Sequence, residues 1–134
     1  MTGFKILVDC DVLLDVALKR EPFFEASGQV LAWAERHPGK AGIAWHTLSN
    51  LVYLSEKDPR SFLQDLLIFM RVAETGQEHA EAALKLPMKD LEDAFQATAA
   101  MAFGASYIVT RNEKDFRSSP VTAVSPKAFL LKVV

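Results

Sequence analysis

Four acidic side chains occupy places where a folded chain can gather charge around one point. Asp9 and Asp11 directly follow the apolar run Lys5-Ile6-Leu7-Val8, Asp93 lies one turn into an amphipathic stretch that opens at Asp90, and Asp115 closes the polar run Thr110-Arg111-Asn112-Glu113-Lys114. Carboxylates converging in a low-dielectric cleft repel one another, and a cation is what offsets that repulsion. Hard divalent cations prefer oxygen ligands: Mg²⁺ is held by one or two carboxylates together with water and phosphate oxygens, and Mn²⁺ occupies similar sites. An ion held in this way ionises a bound water for attack on a phosphodiester and stabilises the charge that develops on the phosphate and the leaving oxygen.

These acids need particular elements to bring them together. Residues 5–8 are too short and too apolar for a helix and read as a strand buried on both faces. A carboxylate at the carboxyl end of a central strand is where open α/β sheets place their sites. Asp11 reads as the N-cap of a following helix, with Val12, Leu13, Val16 and Ala17 inward and Lys19-Arg20 in the last turn. From Asp90, the residues Leu91, Ala94, Phe95, Met101 and Ala102 recur near the helical period, and Gly104 ends the helix. Tyr107-Ile108-Val109 is a short buried strand. Because this strand runs back against the helix, Asn112 and Asp115 return beside the helix start.

Between these motifs the sequence predicts a helix from Pro22 with Phe23, Ala26, Val30, Trp33 and Ala34 inward, a strand at 41–44, and a helix from Thr47 to Ser55 with Leu48, Leu51, Val52 and Leu54 inward. A helix from Pro59 carrying Phe62, Leu66 and Phe69, a short strand at 71–74 and an alanine-rich helix from Gln77 to Leu86 follow. A strand at 121–123 and a helix from Ser125 to Leu130 close the chain. Strands alternating with helices imply a three-layer α/β/α sandwich with a mainly parallel sheet.

The chain of 134 residues suits one domain spanning 1–134, and half of its residues are hydrophobic, enough for a real core. A net charge of −2 means that attraction for phosphate must be local rather than global. The single cysteine, Cys10, excludes an internal disulfide and fits a reducing cytoplasm. The N-terminal Met-Thr-Gly-Phe-Lys leads straight into a strand, so no signal peptide is expected, and no apolar run approaches the roughly 18 residues of a membrane span.

Plainer readings accompany several of these residues. Asp90 suits a helix N-cap and Asp93 the positive end of a helix dipole. Asp11 can be both a cap and a supporting acid, and Asp15, one turn further on, a solvated or supporting acid. Asn112 favours a turn. His46 is a polar partner or surface residue. Cys10 sits between two acids that raise its pKa, against a nucleophilic role. Trp33, Phe62 and Phe69 read as core or a dimer face. Arg111, Lys114 and Arg117 are solvated loop residues or contacts to phosphates.

The order Val8-Asp9-Cys10-Asp11-Val12-Leu13-Leu14-Asp15, Thr47-Leu48-Ser49-Asn50-Leu51-Val52-Tyr53, Asp90-Leu91-Glu92-Asp93-Ala94 and Ile108-Val109-Thr110-Arg111-Asn112-Glu113-Lys114-Asp115-Phe116 resembles a PIN domain over essentially the whole chain. The resemblance implies an Mg²⁺- or Mn²⁺-dependent ribonuclease acting on single-stranded RNA. It also implies the homodimeric, VapC-like toxin half of a toxin–antitoxin pair. Carried over residue by residue, Asp9, Asp93 and Asp115 match the metal-binding catalytic acids, Asn112 assists them, and Asp11, Asn50, Asp90 and Thr110 support them. Asn112 stands where many relatives carry aspartate, and the further departure is Asn50, where many PIN nucleases carry glutamate. Its carbonyl oxygen has no charge to offer, so metal affinity should fall. Two alternatives follow: a PIN-fold module that binds RNA or protein without cleaving, and, from Asp9-x-Asp11-Val12 after a strand, a haloacid-dehalogenase-like phosphatase.

Overall fold

The computed structural model describes residues 4–134, so the first three residues of the N-terminal reading lie outside it. Five strands form one sheet in the order β3-β2-β1-β4-β5, and every neighbouring pair is parallel. They are β1 (Ile6–Val8), β2 (Ala41–Ile43), β3 (Arg71–Val72), β4 (Tyr107–Val109) and β5 (Thr122–Val124). The helices are α1 (Cys10–Ala17), α2 (Phe24–Arg36), α3 (Trp45–Leu54), α4 (Arg60–Phe69), α5 (Gln77–Ala83), α6 (Leu91–Phe103) and α7 (Pro126–Lys132), with a 3₁₀ turn at Glu113–Phe116.

The apolar run at the start becomes the middle strand because it has a core on both sides. Ile6 and Val8 join a cluster with Val12, Leu13, Val30, Trp33, Leu51 and Phe129, whereas Leu7 joins another with Ala97, Ala100, Ile108 and Phe116. All three β1 residues are fully buried, as expected of a parallel strand covered by helices on both faces. The result is the predicted three-layer sandwich, with α5 and α6 packed together on one side and α1, α2 and α7 on the other.

From β1 the chain winds outward through β2 and β3, then returns to the other side of β1 for β4 and β5. The order therefore reverses between β1 and β4, and the crevice outside their carboxyl ends is where open α/β sheets bind ligands. Val8 pairs with Val109, and the Asp9 N–H donates to the Val109 carbonyl at 3.0 Å. Asp9 and Thr110 thus leave the sheet side by side.

Several local expectations are corrected. Asp9, not Asp11, caps α1, because the helix starts at Cys10. Lys19 lies beyond α1 with φ of 51°, outside the predicted last turn. The second helix starts at Phe24 rather than at Pro22. In α3, Leu51 is buried, but Val52 and Leu54 face solvent and Thr47 points inward instead. The largest revision concerns α6. Leu91 and Met101 are exposed and Phe95 sits at the boundary, while Ala94, Gln96, Ala97, Thr98, Ala99 and Ala100 are buried. Close packing explains this: small side chains let α6 lie on the sheet, and the Phe103 ring comes within 2.9 Å of where a Cβ on Gly42 of β2 would stand.

Among the described residues no helix is long and apolar enough to cross a membrane.

Candidate metal centre at the sheet switch point

Asp9 is the residue most firmly held. Its Oδ1 accepts from the Cys10 N–H at 2.8 Å and from Gln96 Nε2 at 2.8 Å, and its Oδ2 accepts from Thr110 Oγ1 at 2.8 Å. Two carboxylate oxygens offer about four lone-pair sites, so Asp9 is oriented by three donors and keeps capacity for a further partner. Burial raises its pKa. The Thr110 and Cys10 hydrogen bonds pull it back, and the charges of Glu92 and Asp115 raise it further.

Asp11 leans on the loop after β4. Its Oδ2 accepts from the Arg111 N–H at 3.1 Å, from Asn112 Nδ2 at 3.1 Å and, more weakly, from Thr110 Oγ1 at 3.3 Å. Its Oδ1 is buried with no hydrogen-bond partner, as is Gln96 Oε1. Orphaned buried acceptors are uncommon and ask for an explanation. Burial and then the neighbouring Asp9 charge push the Asp11 carboxyl up to about 6.

Asp93 comes from the first turn of α6. Asp90 caps this helix, its Oδ1 accepting from the Asp93 N–H at 3.1 Å. Asp93 is pushed up to about 7, first by burial and then by the charges of Asp90, Asp9, Asp115 and Glu92. Asp115, exposed on the 3₁₀ turn, acts on both Asp9 and Asp93. Its place follows from the predicted return of the chain: the Asp115 N–H donates to the Asn112 carbonyl at 3.0 Å, and Asp90, Lys114 and Asp115 line one groove of about 470 Å³ together with Lys89 and Arg117.

Two positively charged candidates thus separate. Lys114 borders the groove beside Asp115. Arg111 is committed elsewhere: its Nε and Nη2 clasp Asp15 at 2.8 and 3.1 Å, and its guanidinium lies 3.8 Å from the Phe23 ring centroid. Asp15 corrects the solvated reading. It is fully buried, also taking Arg20 at 3.1 Å and the Ser27 hydroxyl at 2.9 Å. Through Arg111 it fixes the backbone that donates to Asp11.

Asn50 does not reach the four acids by hydrogen bonding; its Nδ2 donates to Glu92 Oε1 at 3.2 Å. Sequence reasoning missed Glu92, whose charge acts on Asp9, Cys10, Asp93 and His46. It also missed Gln96, which is buried and donates to both Asp9 and Thr47 Oγ1 (3.1 Å). The available signal was their spacing: Glu92 and Gln96 stand four apart and share a helix face with the cluster. Cys10, its thiol pushed up to about 12 by burial and by Asp9 and Asp11, is no nucleophile.

The donors here are carboxylate, amide and hydroxyl oxygens, a set that suits a hard divalent cation. Two unsatisfied buried acceptors, and the carboxyls of Asp9, Asp11 and Asp93 raised by burial and by neighbouring acids, fit such an ion. Among the described residues, however, no three His, Cys, Asp or Glu side chains already close into a coordination cage.

Similarity to known proteins follows the fold. A chain of a toxin–antitoxin complex from Klebsiella pneumoniae is 25% identical, with a TM-score of 0.67 over 91% of this chain and 98% of that one. A chain of VapBC2 from Rickettsia felis, bound to a promoter DNA fragment, has a TM-score of 0.69 at 18% identity over 91% and 98%. A chain of FitAcB from Neisseria gonorrhoeae has 0.61 at 15% identity, again over 91% and 98%. No curated protein matches the sequence. The family model described as PIN domain matches residues 5–114, and the chain belongs to the PIN domain family.

Proposed function

We propose that this PIN domain is the toxin of a toxin–antitoxin pair, an endoribonuclease that cuts single-stranded RNA with Mg²⁺ or Mn²⁺. On this reading it acts in the cytoplasm as a homodimer and is restrained by an antitoxin protein. The observation that supports the reading is the gathering of Asp9, Asp93 and Asp115 at the β1–β4 switch point, where the charge of Asp115 opposes the ionisation of both Asp9 and Asp93, and that of Asp9 the ionisation of Asp93. The toxin–antitoxin setting is supported by the similarity to the Klebsiella pneumoniae and Rickettsia felis complexes.

Asp9, Asp93 and Asp115 would hold the ion, with Asn112 assisting through its amide oxygen, since its Nδ2 is already given to Asp11. When bound, the metal supplies an ionised water and neutralises charge on the scissile phosphate. The chain's own part is orientation. Thr110 and Gln96 fix the Asp9 carboxylate, and Asp11 ties the loop carrying Asn112 to α1. Lys114, on the groove beside Asp115, would meet an RNA phosphate. Glu92 returns the charge that Asn50 lacks, on the neighbouring helix, which favours cleavage over the binding-module alternative. Membership of the PIN family leaves the phosphatase alternative without support.

The test is cleavage of a single-stranded RNA with added Mn²⁺ by wild type and Asp9→Asn. Wild type is expected to cut and the variant to lose activity by at least a hundredfold, about 3 kcal/mol in the barrier. Equal cleavage by both would sink the assignment.

A further inference from the structure

Between the starts of α3 and α5 and one face of α6 lies a cavity of about 170 Å³ that the proposed catalytic machinery does not use. Its walls include Trp45, His46, Phe95, Thr75, His79 and Thr98. From this arrangement we infer that the cavity is a recognition pocket for one unstacked nucleobase of a single-stranded RNA, an inference that rests on the ribonuclease reading above.

Size is the first argument. The cavity is well below the roughly 300 Å³ of a site for a drug-sized ligand, so it takes one planar ring rather than a whole nucleotide. Its chemistry is the second. Trp45 is 68% and Phe95 36% exposed, although both are large aromatics that a fold normally covers. The His46 ring meets Phe95 edge-on, with centroids 6.0 Å apart and planes at 65°. Exposed aromatic faces beside a cleft are what unpaired bases stack on. Polar equipment is the third. His46 borders the cavity, although its Nε2 is itself buried without a hydrogen-bond partner. His79 Nδ1 accepts from the Gly76 N–H at 2.9 Å, which leaves its Nε2 as the protonated nitrogen of the neutral ring.

Position is the fourth argument. Phe95 immediately precedes Gln96, and His46 immediately precedes Thr47, and Gln96 joins Thr47 to Asp9. The pocket and the acids therefore share one rigid scaffold. In this proposal an RNA whose phosphodiester lies at the acids places a neighbouring base in the pocket, and the pocket selects which base that is.

Trp45 provides the readout, because the only other tryptophan, Trp33, is 5% exposed. The full chain in EDTA, where no cleavage occurs, is titrated with AMP, GMP, CMP and UMP, and with ribose 5-phosphate as the base-free control, following tryptophan fluorescence. At least one nucleotide should quench it and ribose 5-phosphate should not. Phe95→Ala should weaken that nucleotide by about 5- to 150-fold, the range for losing one stacking contact, while leaving Mn²⁺ affinity and thermal midpoint close to wild type. His46→Gln serves as a second variant and should change the preference among the four bases. The inference is overturned if no nucleotide quenches, if ribose 5-phosphate quenches equally, or if both variants bind as wild type does. Quenching only by a co-purified protein would also overturn it. Mn²⁺ calorimetry and RNA cleavage on the same preparations keep the two readings apart. Nucleotide binding without metal binding or cleavage removes the nuclease and keeps the pocket. Cleavage without base-dependent quenching does the reverse.

Discussion

Removing a charge from the acidic cluster should stabilise the metal-free protein while destroying its response to metal. Asp93→Asn is the sharpest case. In the folded chain this carboxyl is pushed up to about 7 from an ordinary 3.8 by burial and by Asp90, Asp9, Asp115 and Glu92. A raised carboxyl pKa means that the folded state binds the proton more tightly than the unfolded state. The cost of ionising it in the fold is absent below about 3.8, accumulates as pH rises, and is complete above about 7. At face value that cost is about 4 kcal/mol. Asp93 is only partly buried, so solvent screening reduces it, and about 1 to 2 kcal/mol is the working figure. Asparagine keeps the shape without the charge and forfeits a few tenths of a kcal/mol of helix-dipole interaction. The metal-free variant should therefore melt about 3 to 8 °C above wild type at pH 8, for a domain of this size. The gain should be smaller at pH 5. Adding Mn²⁺ should reverse the order: wild type gains about 2.7 kcal/mol at a hundredfold excess over its dissociation constant, and the variant gains little. Differential scanning fluorimetry across pH, with and without Mn²⁺, measures all four states. If the variant melts at or below wild type in EDTA at pH 8, or if Mn²⁺ stabilises both alike, the mutual repulsion argued for this cluster is wrong.

Four further outcomes are expected. Glu92→Gln should cost roughly tenfold in Mn²⁺ affinity by calorimetry, a scale typical of residues that support ligands. Asn50→Ala removes a single exposed hydrogen bond to Glu92 and should cost much less; the reverse ranking would dismiss Glu92 as the replacement acid. Asp15→Asn breaks a fully buried carboxylate bound by two arginines and should lower urea stability by about 3 kcal/mol or more, whereas a loss under 1 kcal/mol would show that solvent already compensates. Gly42→Ala places a methyl 2.9 Å from the Phe103 ring and should cost about 1 to 3 kcal/mol through overpacking, checked by the midpoint of the same denaturation.

The sheet and the acids at its carboxyl edge were legible because they depend on local pattern. A fully apolar β1 bounded by Asp9 needs nothing distant to be recognised, and the return from α6 through β4 to Asp115 follows from two consecutive elements. What escaped depended on partners far along the chain. Asp15 looks like one more acid on a helix until Arg111, 96 residues later, closes on it. Gln96 looks like a polar interruption until its amide is seen reaching Asp9. The outward turn of Phe95 and Met101 escaped for a different reason. Helical periodicity finds the larger apolar stripe, but α6 lies so close to the sheet that only its small side chains fit underneath. In α3 the same competition left Val52 and Leu54 outside and drew Thr47 in, where it meets Gln96.

The edges of the sheet also decide how this domain can meet another chain. β3 has two residues and begins with the exposed Arg71, and β5 has three and lies between Pro120 and Pro126. A strand seeking to extend the sheet would find only one or two free backbone groups at either margin, beside a cation or a proline that cannot donate. Growth by strand addition, the route to swapped sheets and fibrils, is thereby blunted. Association is left to helix surfaces, where Tyr53 and Ile68 stand 86% and 80% exposed, and where contact is selected by side-chain shape instead of by the backbone that all strands share.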